Sequence, residues 1–169
     1  MITACDISKH RLDSLKPRLK RSGATNIVRQ IVASSKDVWI KNNTEFADRV
    51  LCDVPCTSTG TWRRHTDAKW RLKKSKLLEI CKTQRNILTE ASSLVKSGGR
   101  LIYVTCSVLP EENKEQASWF TENFRNFSLV PINEIWNDIL SISPSICSQY
   151  LQLTPASTKT DGFFCAIFR

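Results

Sequence analysis

Apolar residues along this chain fall into two alternating patterns, short unbroken runs and repeats at three- to four-residue spacing. The first pattern reads as buried strand and the second as a helix with one apolar face. Residues 2–5 (ITAC) form a first strand ending at Asp6, and Ser8 is the N-cap of a helix reaching about Ser22. Leu12, Leu15 and Leu19 share one face of that helix, Pro17 weakens or kinks it, and Gly23 stops it. Residues 26–33 (NIVRQIVA) read as a second strand, then a loop runs through Asn42 and Asn43, and residues 46–53 read as a third strand. From Ser75 to Val95 the positions 77, 80, 81, 88, 91 and 95 mark one long amphipathic helix, with Gln84 a polar exception on the stripe. Ser97-Gly98-Gly99 ends it, and residues 100–106 form a fourth strand, apolar throughout as a buried parallel strand should be.

Pro110-Glu111-Glu112 opens the next helix, because proline suits a first helical position and acids suit the positive end of the dipole. Ala117, Phe120 and Phe124 give its buried stripe. Residues 128–132 read as a strand, 133–140 as a short helix, and 150–153 and 163–168 as terminal strands. Strands alternating with helices predict an α/β fold with a mostly parallel sheet, and one domain over residues 1–169.

Chemistry concentrates in residues 49–70, RVLCDVPCTSTGTWRRHTDAKW. In an open α/β sheet, ligands bind beyond the carboxyl ends of strands, where this stretch places Asp53 and Cys56. Pro55 withdraws a backbone donor, so the strand must stop there. Alone, the motif suits a strand end with a capping Asp and an ordinary buried Cys. A second thiol at a matching place, Cys106 in LIYVTCS, shifts the balance toward a site.

Charge changes the picture next. The net charge of +9 favours a polyanionic partner. Residues 63–76 hold seven Lys/Arg against one acid, Asp67, directly after the thiol motif. Solvated helix faces explain most such runs, but Arg63 and Arg64 are also placed for contact with a nucleic-acid backbone. The seven cysteines (5, 52, 56, 81, 106, 147 and 165) show no metal-ligand spacing and are expected to be reduced, with neither disulfide nor metal. With no signal-peptide pattern and no apolar run of membrane-spanning length, the expected setting is cytoplasmic, away from a membrane. Only five glycines occur, so neither GxGxxG nor a Walker loop is present. Asp6 has two readings: it caps the following helix, or it holds a ribose hydroxyl, the preceding strand and glycine loop being absent from this chain.

DVPCTSTGTWRRHTDAKW together with YVTCSVLPEEN resembles the RsmB/Nop (Sun) family of S-adenosylmethionine-dependent RNA cytosine-5 methyltransferases. ACDISKHRL, Leu153-Thr154-Pro155 and residues 160–164 (TDGFF) resemble the family's flanking segments, so the likeness covers nearly the whole chain. It implies a Rossmann-like class I methyltransferase fold lacking its first strand and glycine-rich cofactor loop. It implies Cys106 as the nucleophile that adds to cytosine C6, and Cys56 as the thiol that releases product. Asp53 would contact the base or the cofactor and assist ring protonation, and Asp6 would join it in holding S-adenosylmethionine. Arg63, Arg64, Lys69 and Lys73 would contact RNA, with rRNA the expected substrate. A nucleophilic thiol needs a lowered pKa, from a nearby cation or a helix N-terminus.

The departures are specific. The family's adenine-facing acid aligns with Val32, and Asp37 is the nearest acid. The absent first strand is central in that topology, so its loss leaves two unpaired strand edges. The expectation is a C-terminal part of a catalytic domain, from a split, truncated or decayed gene, that does not methylate RNA alone. Its alternatives are half of a split enzyme completed by a separately encoded N-terminal part, a non-catalytic RNA-binding remnant, and a poorly folded product. A DNA cytosine-5 methyltransferase, with the PC cysteine as nucleophile, and a Cys106–His65 hydrolase are the less favoured readings of the same motifs.

Overall fold

A computed structural model describes residues 1–24, 26–32, 37–139 and 149–169. The described chain divides into two compact units, Met1–Thr44 and Glu45–Arg169.

In the first unit, β1 (Ile2–Asp6) pairs in parallel with β2 (Ile27–Ile31) through α1 (Lys9–Ser22). Ser8 caps α1 by accepting from Arg11 N–H, and Gly23 ends it at a φ of 67°, a left-handed turn that a side chain would strain. The helix runs through Pro17 without interruption, and Leu12 is its buried anchor. Ser8→Ala removes that cap, and chemical denaturation is expected to show a loss of about 1 kcal/mol. The loop expected before residue 46 contains a short helix instead, α2 (Val38–Asn42). Asp37 nucleates it by accepting from Trp39 N–H at 2.8 Å. The last residue of the expected second strand, Ala33, lies outside the described residues.

The second unit is a five-stranded sheet. β3 (Ala47–Asp53) pairs in parallel with β4 (Val95–Thr105), which pairs antiparallel with β7 (Phe163–Phe168). On β7's far side lies β5 (Leu129–Val130), and β6 (Leu151–Leu153) also pairs with β7. The sheet is therefore mixed, which corrects the expectation of a mostly parallel one. The cause is local: only the one-turn α7 (Pro155–Thr158) and a short turn join β6 to β7, too little chain for the crossover that parallel pairing needs. Among the described residues, β1 pairs only with β2 and β3 only with β4, so each has one open edge.

Between β3 and β4 the chain passes through the basic stretch that starts at Arg63 into the 21-residue α4 (Lys74–Leu94). A 3₁₀ turn (Thr59–Thr61) and the short α3 (Ala68–Arg71) precede it. α4 stops three residues before the Ser-Gly-Gly signal, and those residues loop out of β4 where the register jumps from Ala47↔Val95 to Arg49↔Arg100. After β4 come a second 3₁₀ turn (Pro110–Glu112), α5 (Lys114–Asn123) and, beyond β5, α6 (Ile132–Ile139). The helix expected from residue 110 is thus two elements. The end of the expected short helix, Leu140, lies outside the described residues.

Strand alternation sorts the side chains. Cys52, Leu101, Tyr103, Phe164, Ala166 and Phe168 turn to one face and are buried with Leu88 and Ala91 of α4 and Ala117 and Phe120 of α5. Phe120 stacks on Phe124 at 4.6 Å and tilts against Phe168 at 4.7 Å. The opposite face carries the register row Leu51, Ile102, Ile167 and Val130, and Leu51 is 66% exposed there. The core thus sits under one face, and the chemistry sits at the carboxyl ends of β3 and β4.

Candidate active site

β3 and β4 run parallel with Asp53 opposite Val104, so both strands deliver their next residues to the same end of the sheet. Two backbone bonds continue that alignment beyond the strands, Val54 N–H to Val104 O at 3.3 Å and Gly60 N–H to Cys106 O at 3.0 Å. As a result Cys56 Sγ and Cys106 Sγ lie 3.3 Å apart. Ser58 Oγ is 3.4 Å from Cys106 Sγ and 4.0 Å from Cys56 Sγ. Ser58 holds a φ of 56°, a left-handed conformation that is costly for a residue with a side chain. That conformation presents its hydroxyl to the thiol pair.

The pair is electrically asymmetric. The hydrogen bond from Cys56 holds the Cys106 thiol down at about 6, the Ser58 hydroxyl adds to this, and burial and the Asp53 charge oppose it. The Cys56 thiol moves up, because its bond to Cys106 and its burial both favour the proton. Protons in such a pair belong to the pair, and the arrangement favours one thiolate at Cys106 held by one thiol at Cys56. Neither a cation nor a helix N-terminus leads this shift; a neighbouring thiol and a hydroxyl do. Burial pushes Cys52 up to about 12 and Cys165 up to about 11. Since a lowered pKa means thiolate above it, Cys106 alkylation by iodoacetamide is expected to rise through about pH 6 and then level off. Peptide mass spectrometry checks this, with Cys52 and Cys165 expected to stay unmodified under the same conditions.

Both cysteines are held by buried polar struts from the segment after Cys106 and from α4. Glu112 is fully buried; its Oε1 accepts from Thr57 N–H at 2.8 Å and its Oε2 from the Thr57 hydroxyl. Gln84, also fully buried, donates to Pro55 O at 3.0 Å and to Glu112 Oε1 at 3.2 Å. Tyr103 OH fixes the turn itself, donating to Glu112 O at 2.6 Å. On the Cys106 side, Asn113 accepts from Thr105 Oγ1 at 2.6 Å and donates to Ser107 O at 2.9 Å. Thr59 Oγ1 accepts from Val108 N–H at 2.9 Å and bonds Ser107 Oγ at 2.9 Å. Sequence reasoning had missed Ser58, Gln84, Glu112 and Asn113 as site residues. The available signal was Gln84, a polar residue on an otherwise apolar helix stripe.

The remaining expected residues are placed as follows. Asp53 is exposed at the end of β3, and its carboxylate has no hydrogen bond or ion pair among the described residues. Asp6 closes β1, where its Oδ1 accepts from Ser8 N–H at 2.7 Å and meets Arg11 at 2.9 Å. One oxygen of Asp6 thus holds the cap residue and Arg11, while Ser8 itself caps α1. Arg63 and Arg64 both reach Asp161, which precedes β7, the Arg64 contact being 2.5 Å. Their side chains remain more than half exposed. Lys69 lies over the ring of Trp70, 4.8 Å from its centroid, and Trp70 is 81% exposed. Lys73 is exposed just before α4, and His65 is exposed within the turns that precede α3. Asp37 is committed to capping α2. No helix among the described residues is long and apolar enough to cross a membrane.

Comparison with known proteins adds to this geometry. The family model described as 16S rRNA methyltransferase RsmB/F matches residues 1–169. Ribosomal RNA small subunit methyltransferase B of Klebsiella pneumoniae is 36% identical over 165 residues, covering 98% of this chain and 35% of its own. The Shewanella oneidensis protein of the same name is 34% identical over 98% of this chain and 36% of its own. The chain therefore spans about a third of the length of the curated relatives it matches. Among solved structures, NSun6 from Pyrococcus horikoshii with SFG superposes with a TM-score of 0.77 at 27% identity, over 99% of this chain and 41% of that one. A methyltransferase homolog from Pyrococcus horikoshii gives a TM-score of 0.74 at 28% identity, over 100% of this chain and 53% of that one. The fold is that of α/β class I methyltransferases.

Proposed function

The chain belongs to the RsmB/F family of 16S rRNA methyltransferases, and from that premise we propose that it carries the catalytic part of an RNA cytosine-5 methyltransferase. The observation that supports this reading most is the thiol pair, with Cys106 Sγ 3.3 Å from Cys56 Sγ at the shared end of two parallel strands. S-adenosylmethionine, met in this reading by Asp53, supplies an electrophilic methyl group when bound.

Cytosine C5 is a weak nucleophile, and the residues here overcome that in order. The Cys106 thiolate forms a bond to C6 of an unstacked cytosine, and electron density moves onto C5. Asp53, exposed beside the thiols, faces the base edge and assists ring protonation as C6 is attacked. Once C5 is methylated its proton must leave, the S–C6 electron pair returns to sulfur, and the Cys106 thiolate is restored. Cys56 is suited to that release. Its proton is held chiefly by the bond to Cys106, with burial second. When Cys106 sulfur is bonded to carbon that first cause is gone, so Cys56 gives up its proton to solvent more readily and its thiolate becomes available to take the C5 proton. Arg63, Arg64, Lys69 and Lys73 serve the RNA backbone in this reading, with rRNA the substrate class and the cytoplasm the setting.

A second reading has its own observation: β1 and β3 each keep an open edge. A strand and its glycine loop from a longer or separate polypeptide would cover such an edge, and in this reading the chain without them is an RNA-binding module that does not methylate. Titration of the purified chain with S-adenosylmethionine, followed by methyl transfer to an rRNA fragment, separates the readings. Saturable cofactor binding with transfer supports the first. RNA binding that weakens with salt, without cofactor binding, supports the second and removes catalysis by this chain alone.

A further inference from the structure

Glu112 is an expensive residue to bury. It is fully buried, yet the groups that meet its carboxylate are the Thr57 amide, the Thr57 hydroxyl and the Gln84 amide, with no cation among its hydrogen-bonding partners. A buried acid with no cation to meet it is costly unless hydrogen bonds satisfy it, so a purely space-filling role suits it poorly. What those bonds accomplish is specific. Gln84 holds the carbonyl of Pro55 and Glu112 holds both polar groups of Thr57, so the residue between them, Cys56, is gripped from both sides. Ser58 follows immediately in its left-handed conformation, with its hydroxyl 3.4 Å from Cys106 Sγ. Glu112 itself is in turn fixed from below by Tyr103, whose hydroxyl bonds its carbonyl.

We infer that Glu112 is a positioning residue for the thiol pair: by clamping Thr57 it holds the Cys56 thiol and the Ser58 hydroxyl in place as the two donors to the Cys106 thiolate. The inference rests on the methyltransferase reading for its purpose, but not for its test. Without the clamp, residues 56–58 relax, the donors move off Cys106 sulfur, and the thiolate loses what stabilises it. A glutamine can keep the shape, with Oε1 accepting from Thr57 N–H and Gln84, and Nε2 donating to the Thr57 oxygen.

The test is the pH profile of Cys106 alkylation by iodoacetamide in the full chain, without RNA or cofactor, alongside a thermal melt. Trypsin releases Cys106 as the single thiol of peptide 101–114, so its modification is read directly by mass. In E112A the profile is expected to move up, with Cys106 alkylation near pH 6.5 slowed roughly threefold or more, because only the thiolate reacts. E112Q is expected to retain the parent profile. A folded E112A whose profile overlays that of the parent would overturn the inference, and lowered melting temperature alone would not rescue it. If E112A fails to fold, Thr57→Val carries the test, since it removes the hydroxyl bond and leaves Glu112 in place. An upward shift supports the clamp, and an overlay overturns it. A shifted profile in a chain that methylates no RNA would leave the clamp standing and sink the function. The reverse pattern would sink the clamp alone.

Discussion

Cys56→Ala is expected to leave RNA covalently joined to the protein as a band that survives SDS, whereas Cys106→Ala gives neither band nor methyl transfer. The asymmetry follows from the thiol pair. Cys106 carries the lowered thiol and, in the proposed mechanism, forms the bond to C6; Cys56 carries the raised one and is proposed to act only when that bond must break. Loss of the nucleophile should reduce transfer by a factor on the order of 10⁴ or more, as removal of other covalent nucleophiles does. Loss of Cys56 should spare the first chemical step and stall the last. The experiment needs an rRNA fragment, the methyl donor and, if the open strand edges must be closed, the polypeptide that closes them. A Cys56→Ala band that disappears in the double variant completes the assignment. A band retained by Cys106→Ala would transfer the nucleophile role to Cys56 and favour the DNA-type reading of the motif.

The second large effect is expected at a place with no side chain. Gly60 and Gly162 touch back to back: a Cβ built on Gly60 would lie 2.5 Å from Gly162 Cα, and one on Gly162 would lie 2.5 Å from Gly60 Cα. The contact is also bonded, Gly162 N–H donating to Gly60 O at 2.9 Å while Gly60 N–H donates to Cys106 O at 3.0 Å. Three segments are thus laced through their backbones at the edge of the site. Gly60→Ala or Gly162→Ala must push main chain away from main chain, which no rotamer change relieves. Denaturant unfolding should show a loss of about 3 kcal/mol or more, at the upper end for overpacking. Since Cys106 O is the next link, either variant should also shift the Cys106 alkylation profile. An alanine variant with parental stability would show that the two segments separate easily.

Much of this was legible in the sequence, for identifiable reasons. Strand ends marked by Asp53-Val54-Pro55 and by Thr105-Cys106 were readable because both follow apolar β-forming runs, and parallel pairing then brings the thiols together. The Ser8 cap and Gly23 stop are local chemistry and stand as expected. What escaped was set by tertiary structure. The Pro-Glu-Glu turn fits a helix start equally well, and nothing local distinguishes an acid at a dipole from one buried under a loop; Glu112 became visible only through Thr57. α2 is one short turn whose single cue was Asp37 ahead of Val38 and Trp39. The antiparallel tail was misjudged because apolar runs report burial and carry no direction.

The position of β7 has a consequence for the order in which the molecule assembles. It follows the other described strands in sequence, yet it lies inside the sheet, between β4 and β5, and it is the partner of β6 as well. Until it docks, β5 and β6 have no strand to pair with, and β4 lacks one of its two neighbours. Gly162, at its approach, also completes the backbone lacing beside the thiols. Folding of this unit is therefore dominated by contacts distant in sequence, the kind that form slowly and late. During synthesis, the segment from β3 to α5 must wait with apolar surface uncovered until β7 emerges. Removing the last strand would cost far more than its six residues suggest, because the sheet closes around it.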